Sequence, residues 1–296
     1  MSREGLSLVG LLGWPVEHSV SPAMHNAAFR ALDLDWHYLP LPVRPDQLAA
    51  AVQGLGLLGF RGANVTIPHK EAVLSCLNPR SVAPKVWDLG AVNTLVVGRA
   101  EDATYTIFGD NTDDVGAVAA LRKGGFEPED GGRVVVVGAG GAARAVTFGL
   151  LWSGIGQVVL LNRTLARARD LVSDLGSKAE WSAKLQALSL ETETLVEACR
   201  TADLLVNATP LGMWPRVDDT IWPEAVPLPR NLAVFDMVYN PLETRLLGQA
   251  RASGARPIGG LEMLVRQGAI AFEMWTGEPP PLDVMRAAAR QALATE

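Results

Sequence analysis

Short apolar runs alternate with helix-period stretches along most of the chain. That alternation predicts strands and helices in succession, an α/β fold with largely parallel sheets. The strongest run is Arg133-Val-Val-Val-Val137. Four consecutive valines read as a strand covered on both faces. Further strands are predicted at 6–12, 36–41, 60–67, 90–97, 105–108, 157–161, 233–238 and 256–258, and one from Leu204 runs into a loop reaching Gly212. Helices are predicted from Ser21 to about Leu32, from Pro45, from Glu71, from the stretch 109–116 towards Leu121, and over 142–152, 260–275 and 281–294. In the first of these, Ser21 is expected as N-cap, Pro22 as first helical residue, and Met24, Ala28 and Leu32 as the inner face. Segment 176–190 declares no element, and 214–229, rich in Pro and Trp, reads as a long loop.

The valine strand runs into Gly138-Ala139-Gly140-Gly141-Ala142-Ala143, and a helix follows to Trp152. A glycine-rich βα turn without a ligand would carry some of these residues. Strand, G-x-G-x-x-A and helix in that order favour a dinucleotide site. Gly138 permits the tight turn, Gly140 admits a pyrophosphate, and Ala143 allows close helix–strand packing, with the phosphates at the helix N-terminus. The next strand ends at Asn162-Arg163-Thr164, where an NAD site usually carries an acid for the ribose 2′-hydroxyl. This chain offers Arg163 there and Arg167 a helical turn on, which suits the 2′-phosphate of NADP.

The chain has 296 residues, enough for two domains, and is 48% hydrophobic and 20% charged. Its formal net charge is −6 with no basic run, which disfavours nucleic acid or an anionic membrane as partner. Cys76 and Cys199 have no metal spacing and are expected as buried small hydrophobes. With no signal-peptide pattern and no apolar run of transmembrane length, the cytoplasm is the expected compartment. No His, Cys, Asp or Glu cluster has metal-ligand spacing, so no metal is expected.

Four residues in the first half carry candidate chemistry. Ser19 and Ser21 lie at a helix start, where hydroxyls can hold a small anion, or where one serine simply caps. Lys70 follows a strand at the ligand edge and stands at an expected helix N-terminus, as a proton-exchanging group or a solvated lysine. Asp113 opens a helix, as dipole complement or as a carboxylate facing a cleft.

Taken together, Ser19-x-Ser21-Pro22, Asn64-Val-Thr-Ile-Pro-His-Lys70, Gly90-Ala-Val-Asn-Thr94, Asn111-Thr-Asp-Asp-Val-Gly116, Gly138-Ala-Gly-Gly-Ala-Ala-Arg144, Asn162-Arg-Thr164, Asp236-Met-Val-Tyr-Asn-Pro241 and Gly260-Leu-Glu-Met-Leu-Val-Arg-Gln267 resemble the shikimate dehydrogenase family from about residue 8 to 290. The resemblance implies reversible reduction of 3-dehydroshikimate to shikimate with NADP(H), in aromatic amino-acid (chorismate) biosynthesis. It implies an N-terminal substrate domain (1–112), a Rossmann-type NADP-binding domain (113–258) and C-terminal helices (259–296). The active site is expected in the cleft and the last helix back on the N-terminal domain. Lys70 and Asp113 match the family's catalytic pair; Ser19, Ser21, Thr66 and, nearby, Tyr239 match the substrate-carboxylate residues. Asn64, Asn93, Asp113 and Gln267 match residues around the ring hydroxyls, while Gly260 and Met263 match positions near the nicotinamide. Thr209, in the loop after Leu204-Leu-Val-Asn207, joins the expected cofactor residues. A monomer or homodimer is expected. Two other readings are an NAD-using quinate/shikimate dehydrogenase, which Arg163 argues against, and a non-catalytic NADP-binding regulator, which the retained Lys70 and Asp113 argue against. Three residues depart from the family pattern. Asp114, where glycine is common, either weighs on Asp113 or, as expected, faces solvent. Glu262 also replaces a common glycine. Gly268 replaces a common alanine, with little consequence expected.

Overall fold

The computed structural model describes residues 5–100 and 104–294. The chain forms two compact units, Met1–Thr112 with Val265–Glu296, and Asp113–Leu264. The first contains β1 (Ser7–Gly13), α1 (Ser21–Ala31), β2 (Trp36–Pro42), α2 (Leu48–Leu58), β3 (Gly62–Val65), α3 (Pro84–Leu89), β4 (Thr94–Arg99) and β5 (Tyr105–Asp110). Its sheet has the order β2-β1-β3-β4-β5; β2, β1 and β3 run parallel, and β4 and β5 complete it antiparallel. Leu12, Val52, Val65, Val73 and Leu95 belong to one apolar cluster in this unit.

Several boundaries move from expectation for local reasons. The strand expected over 60–67 is only Gly62–Val65, and the helix expected from Glu71 is a short 3-10 turn, Ala72–Cys76. Pro68 lacks an N–H for a ladder, which accounts for the early end of the strand. Residues 66–70 therefore form a loop. The run 90–97 joins the sheet as a named strand only from Thr94, and α3, unannounced by the pattern, precedes it. In α1, Ser21 is the first helical residue after an N-cap at Val20, and the hydroxyl of Ser19 accepts the Ser21 N–H at 3.3 Å. Leu32 lies outside the buried face, which Met24, His25, Ala28 and Phe29 supply.

The second unit contains α4 (Asp113–Lys123), β6 (Arg133–Val137), α5 (Gly141–Trp152), β7 (Gln157–Asn162), α6 (Leu165–Leu175), α7 (Ala179–Ser182), β8 (Leu185–Ser189), α8 (Thr192–Cys199), β9 (Leu204–Asn207), β10 (Ala233–Asp236), α9 (Arg245–Ser253) and β11 (Arg256–Gly259). All its strands are parallel, in the order β11-β10-β9-β6-β7-β8. This is the doubly wound dinucleotide-binding order, with the reversal between β6 and β9. Val134 to Val137 are fully buried, as a strand covered on both faces requires. The unreadable segment 176–190 holds α7 and the edge strand β8, which is only partly buried and so shows no clean alternation.

Four residues differ from expectation or refine it. Asp114 is buried rather than turned to solvent. Helix α4 packs on α5 so closely that a Cβ at Gly149 would lie 2.8 Å from the Asp114 carbonyl. Cys199 is fully buried, which pushes its thiol up to about 12 despite the opposing Arg133, but Cys76 is only half-buried. A Cβ at Gly268 would meet the flexible end of Met24 and come within 3.2 Å of His25 Nε2, so glycine relieves a crowded position.

Helix α10 (Leu261–Thr276) begins in the second unit and continues, from Val265, in the first. Its Trp275 indole donates to the Leu95 carbonyl at 2.9 Å, filling the space that Gly62 leaves beside β3. Helix α11 (Leu282–Leu293) then lies against α1 and buries Met285 and Ala289. Met285→Ala should lower the free energy of unfolding by ~2–5 kcal/mol, the usual cost of emptying a fully buried site. Urea denaturation followed by fluorescence checks this, and an unchanged midpoint would remove α11 from the structural core.

Candidate active site

In the first unit the chain winds from β1 to β2 on one side and to β3 on the other. The crevice outside the carboxyl ends of β1 and β3 is therefore its switch point, where open α/β sheets bind ligands. The loop after β1 carries Ser19 and leads to Ser21; the loop after β3 carries Thr66 and Lys70. The two loops are tied together. Trp14 N–H donates to the Ile67 carbonyl, and Thr66 N–H to the Leu12 carbonyl. A Cβ at Gly13 would collide with Thr66. Ser19, Thr66 and Lys70 are half-buried and Ser21 is buried. Lys70 stands in a turn, not at an α-helix N-terminus, so no helix dipole acts on it as expected from sequence. Its backbone carbonyl accepts Val92 N–H, and buried His69 ties the same loop to the Val43 carbonyl through Nε2 at 2.7 Å.

Behind these loops lies a network of neutral amides and hydroxyls. Asn64 Nδ2 donates to the Asn93 carbonyl and to Thr94 Oγ1, both at 3.2 Å. Asn93 Nδ2 donates to Thr112 Oγ1 at 2.9 Å and approaches Gln267 Oε1 at 3.4 Å, while its Oδ1 accepts Thr112 N–H and the Thr94 hydroxyl at 2.8 Å. Asn64, Asn93 and Gln267, far apart in sequence, are thus brought together. Tyr38 and Thr112 belong to the same network and were not anticipated. The Tyr38 hydroxyl donates to Asn64 Oδ1 at 2.9 Å, and its ring stacks on His25 at 4.5 Å. Burial holds His25 neutral, its pKa lowered to about 3. A tyrosine on a strand pattern, needing a partner for its hydroxyl, was the one available signal for Tyr38.

In the second unit the switch point lies between β6 and β9. Gly138 adopts φ +120, a conformation closed to most residues, and a Cβ there would sit 2.8 Å from the Ala208 carbonyl. Nothing approaches the Cβ direction of Gly140, which caps α5, so the backbone there is open to a phosphate. Ala139, Gly141 and Ala142 complete the turn and are half-buried. Strand β7 ends at Asn162, whose amide donates to the Thr164 carbonyl. Arg163, Thr164 and Arg167 are exposed. Neither arginine has an ion-pair partner among the described residues. Asp113, 3% exposed, opens α4. Met263 is buried in the first turn of α10, next to Glu262, which pairs with Lys123 of α4 at 2.8 Å. Tyr239 is half-buried in the loop after β10.

Two residues to which the sequence assigns no role link these loops, although Asp236 opens the Asp236-Met-Val-Tyr-Asn-Pro241 motif. Asn207, the last residue of β9, accepts the Thr209 hydroxyl at 2.6 Å and N–H at 3.1 Å on Oδ1. Its Nδ2 donates to Asp236 Oδ1 at 2.9 Å and to the Leu211 carbonyl at 3.1 Å. Asp236, fully buried at the end of β10, also accepts Val238 N–H at 3.1 Å and the Thr244 hydroxyl at 2.6 Å. Burial pushes its carboxyl up to about 6, against the pull of these three hydrogen bonds. A Cβ at Gly260 would lie 2.4 Å from the Met237 carbonyl, so that turn rests on the same loop.

The arrangement can receive a dinucleotide with a phosphorylated ribose, and in the first unit an acidic, hydroxylated small molecule. Among the described residues no group of three or more His, Cys, Asp or Glu could hold a metal ion, and no helix is long and apolar enough to cross a membrane. The shikimate dehydrogenase substrate binding domain matches residues 11–95, shikimate/quinate 5-dehydrogenase residues 121–217, and the shikimate 5'-dehydrogenase C-terminal domain residues 260–290. The shikimate dehydrogenase (NADP(+)) of Methanopyrus kandleri is 46% identical over 97% of this chain and 96% of its own. The crystal structure of shikimate 5-dehydrogenase from Thermus thermophilus with NADP(H) and shikimate superposes with a TM-score of 0.83 at 38% identity, covering 97% of this chain and all (100%) of that one. Quinate dehydrogenase from Corynebacterium glutamicum, solved with NAD, has a TM-score of 0.84 at 31% identity, over 96% of this chain and 98% of that one. The chain belongs to the shikimate dehydrogenase family.

Proposed function

We propose that this protein catalyses the reversible, NADP-dependent reduction of 3-dehydroshikimate to shikimate in chorismate biosynthesis, acting in the cytoplasm as a monomer or homodimer. Family membership supplies the reaction class. The observation on this chain that carries the cofactor choice is the end of β7, where Arg163 and Arg167 stand exposed, unpaired, and without a neighbouring acid in the 162–164 motif.

When bound, NADPH supplies the hydride. The chain's own residues do the rest. Gly138, Ala139, Gly140, Gly141 and Ala142, with the N-terminus of α5, receive the pyrophosphate. Asn162, Arg163, Thr164 and Arg167 hold the 2′-phosphate, and Thr209, Gly260 and Met263 border the nicotinamide side. Ser19, Ser21 and Thr66, with Tyr239, take the substrate carboxylate. Asn64, Asn93 and Gln267 stand around the ring hydroxyls. As hydride reaches the ketone carbon, negative charge develops on its oxygen. Lys70 holds a proton at Nζ and delivers it to that oxygen; in the reverse direction its amine takes the proton from the alcohol. Asp113 supplies the carboxylate that partners this acid–base step.

Lys70→Ala should lower kcat by roughly 10²–10⁴ with NADPH affinity nearly unchanged. Steady-state rates with fluorescence titration of NADPH check this, and near-native kcat would take Lys70 out of the mechanism. Arg163→Ala should raise KM for NADP by roughly ten- to a hundredfold, the loss of one charge-assisted contact, while KM for NAD barely moves. Equal losses for the two cofactors would sink the 2′-phosphate assignment. Initial rates on shikimate and quinate, each with NADP and with NAD, test the whole reading. Comparable rates on quinate with NAD would move the chain to the quinate branch of the family.

A further inference from the structure

We propose that Asp236 is a positioning residue for the reaction: through Asn207 and the Val238 backbone it sets the shape of the loops that receive the cofactor. This rests on the reading above that Thr209, Gly138 and Gly260 serve the cofactor and Tyr239 the substrate.

The argument begins with an amide that could face either way. An asparagine side chain offers two donors on one side and an acceptor on the other, and its partners decide the orientation. Asn207 meets two pure acceptors, the Asp236 carboxylate and the Leu211 carbonyl, so Nδ2 must face them. Oδ1 is thereby turned towards Thr209, where it accepts both N–H and hydroxyl. The Thr209 hydroxyl, so oriented, accepts Leu211 N–H at 3.2 Å. The loop after β9 is then closed on itself, and its Ala208 carbonyl lies against Gly138 of the glycine turn.

The same carboxylate works in the other direction. Its Oδ1 also holds Val238 N–H, just before Tyr239. The carbonyls of Met237 and Val238 form the floor on which Gly260 sits without room for a Cβ. Its Oδ2 takes the hydroxyl of Thr244, whose Oγ1 also accepts Leu247 N–H as the N-cap of α9. One side chain therefore fixes the loop after β9, the loop after β10, the entry to α10 and the start of α9.

Asp236 meets only neutral donors, and burial works against its ionised form. An asparagine could keep the two bonds that shape the loops, accepting from Asn207 and Val238 on Oδ1, while its Nδ2 faces Thr244 Oγ1 with the direction of that bond reversed. Alanine would leave three donors facing an apolar gap. The two substitutions therefore separate hydrogen-bond geometry from mere occupancy of the core.

The test uses the full-length protein with NADPH as the probe. Asp236→Ala should raise the Kd for NADPH and the KM for NADP by roughly tenfold or more, which is ~1.4 kcal/mol per factor of ten, while kcat falls far less. Asp236→Asn should restore both constants to within about threefold of native, since the hydrogen bonds to Asn207 and Val238 are kept. Thermal melting in parallel reads stability. Lower melting temperatures with Kd and KM unchanged would overturn the proposal, leaving Asp236 a purely structural residue. If Asp236→Ala does not fold, Thr244→Val, which removes one partner of the carboxylate away from the cofactor residues, decides: a raised Kd for NADPH supports the proposal and an unchanged one overturns it. A wild-type protein that binds NADPH yet oxidises no shikimate would defeat the functional reading, and the Kd comparison would still decide the role of Asp236.

Discussion

A parallel sheet covered on both faces leaves its strands no polar surface except at their ends. Everything chemical in this protein follows from that constraint. Val134 to Val137 are fully buried, and the chain can present ligand-binding groups only where β6 stops at Gly138. The same holds for β9, which turns polar at Asn207, and β10, which turns polar at Asp236. In the first unit, β3 is buried throughout, and its carboxyl end leads directly to Thr66 and Lys70. Because the strand order reverses beside β6 and beside β1, the loops on either side of each reversal diverge and leave a crevice.

The polar groups at those ends are mostly neutral. Asn64, Asn93, Thr94, Thr112 and Tyr38 satisfy one another in a buried network, so each amide has a defined orientation before any ligand arrives. A network of this kind presents one fixed polar surface, to which a ligand must conform. The cationic groups are fewer and lie nearer the surface: Arg163 and Arg167 are exposed, and Lys70 is half-buried, whereas the carboxyls of Asp113 and Asp236 are buried.

Much of this could be read from the chain before any coordinates, and the exceptions have physical causes. The valine strand, the glycine turn and the Asn162-Arg163-Thr164 end are local, so periodicity and spacing expose them. Lys70 could be singled out as a candidate, but its setting could not, because Pro68 breaks the strand early and a 3-10 turn replaces the expected helix. Asp114 looked like a solvent-facing residue of a helix start, and tertiary packing against Gly149 overrode that. Strand β8 was invisible because an edge strand needs no clean alternation. The contacts of Asn93 with Gln267, and of Asn207 with Asp236, join residues that only topology makes neighbours. Asp236 opens a family motif and Asn207 ends a strand, yet nothing in the sequence joins the two; the order β9 beside β10 is what turns them into a pair.

Both proposed ligands are anionic, yet the chain carries a net charge of −6. The net charge itself therefore offers them no attraction. At physiological salt, charges more than ~8 Å apart are largely screened, so capture depends on groups in direct contact. That places the demand on geometry: Arg163 and Arg167 free of acids, an α5 N-terminus with open space over Gly140, and hydroxyls at the start of α1. Geometry of that kind holds only if the loops bearing it are fixed. In the second unit the fixing is done by a buried carboxylate with neutral partners, a costly group to bury and hence a poor choice for stability alone. The cost is understandable if the carboxylate is kept for the orientation that it imposes on Asn207 and Val238.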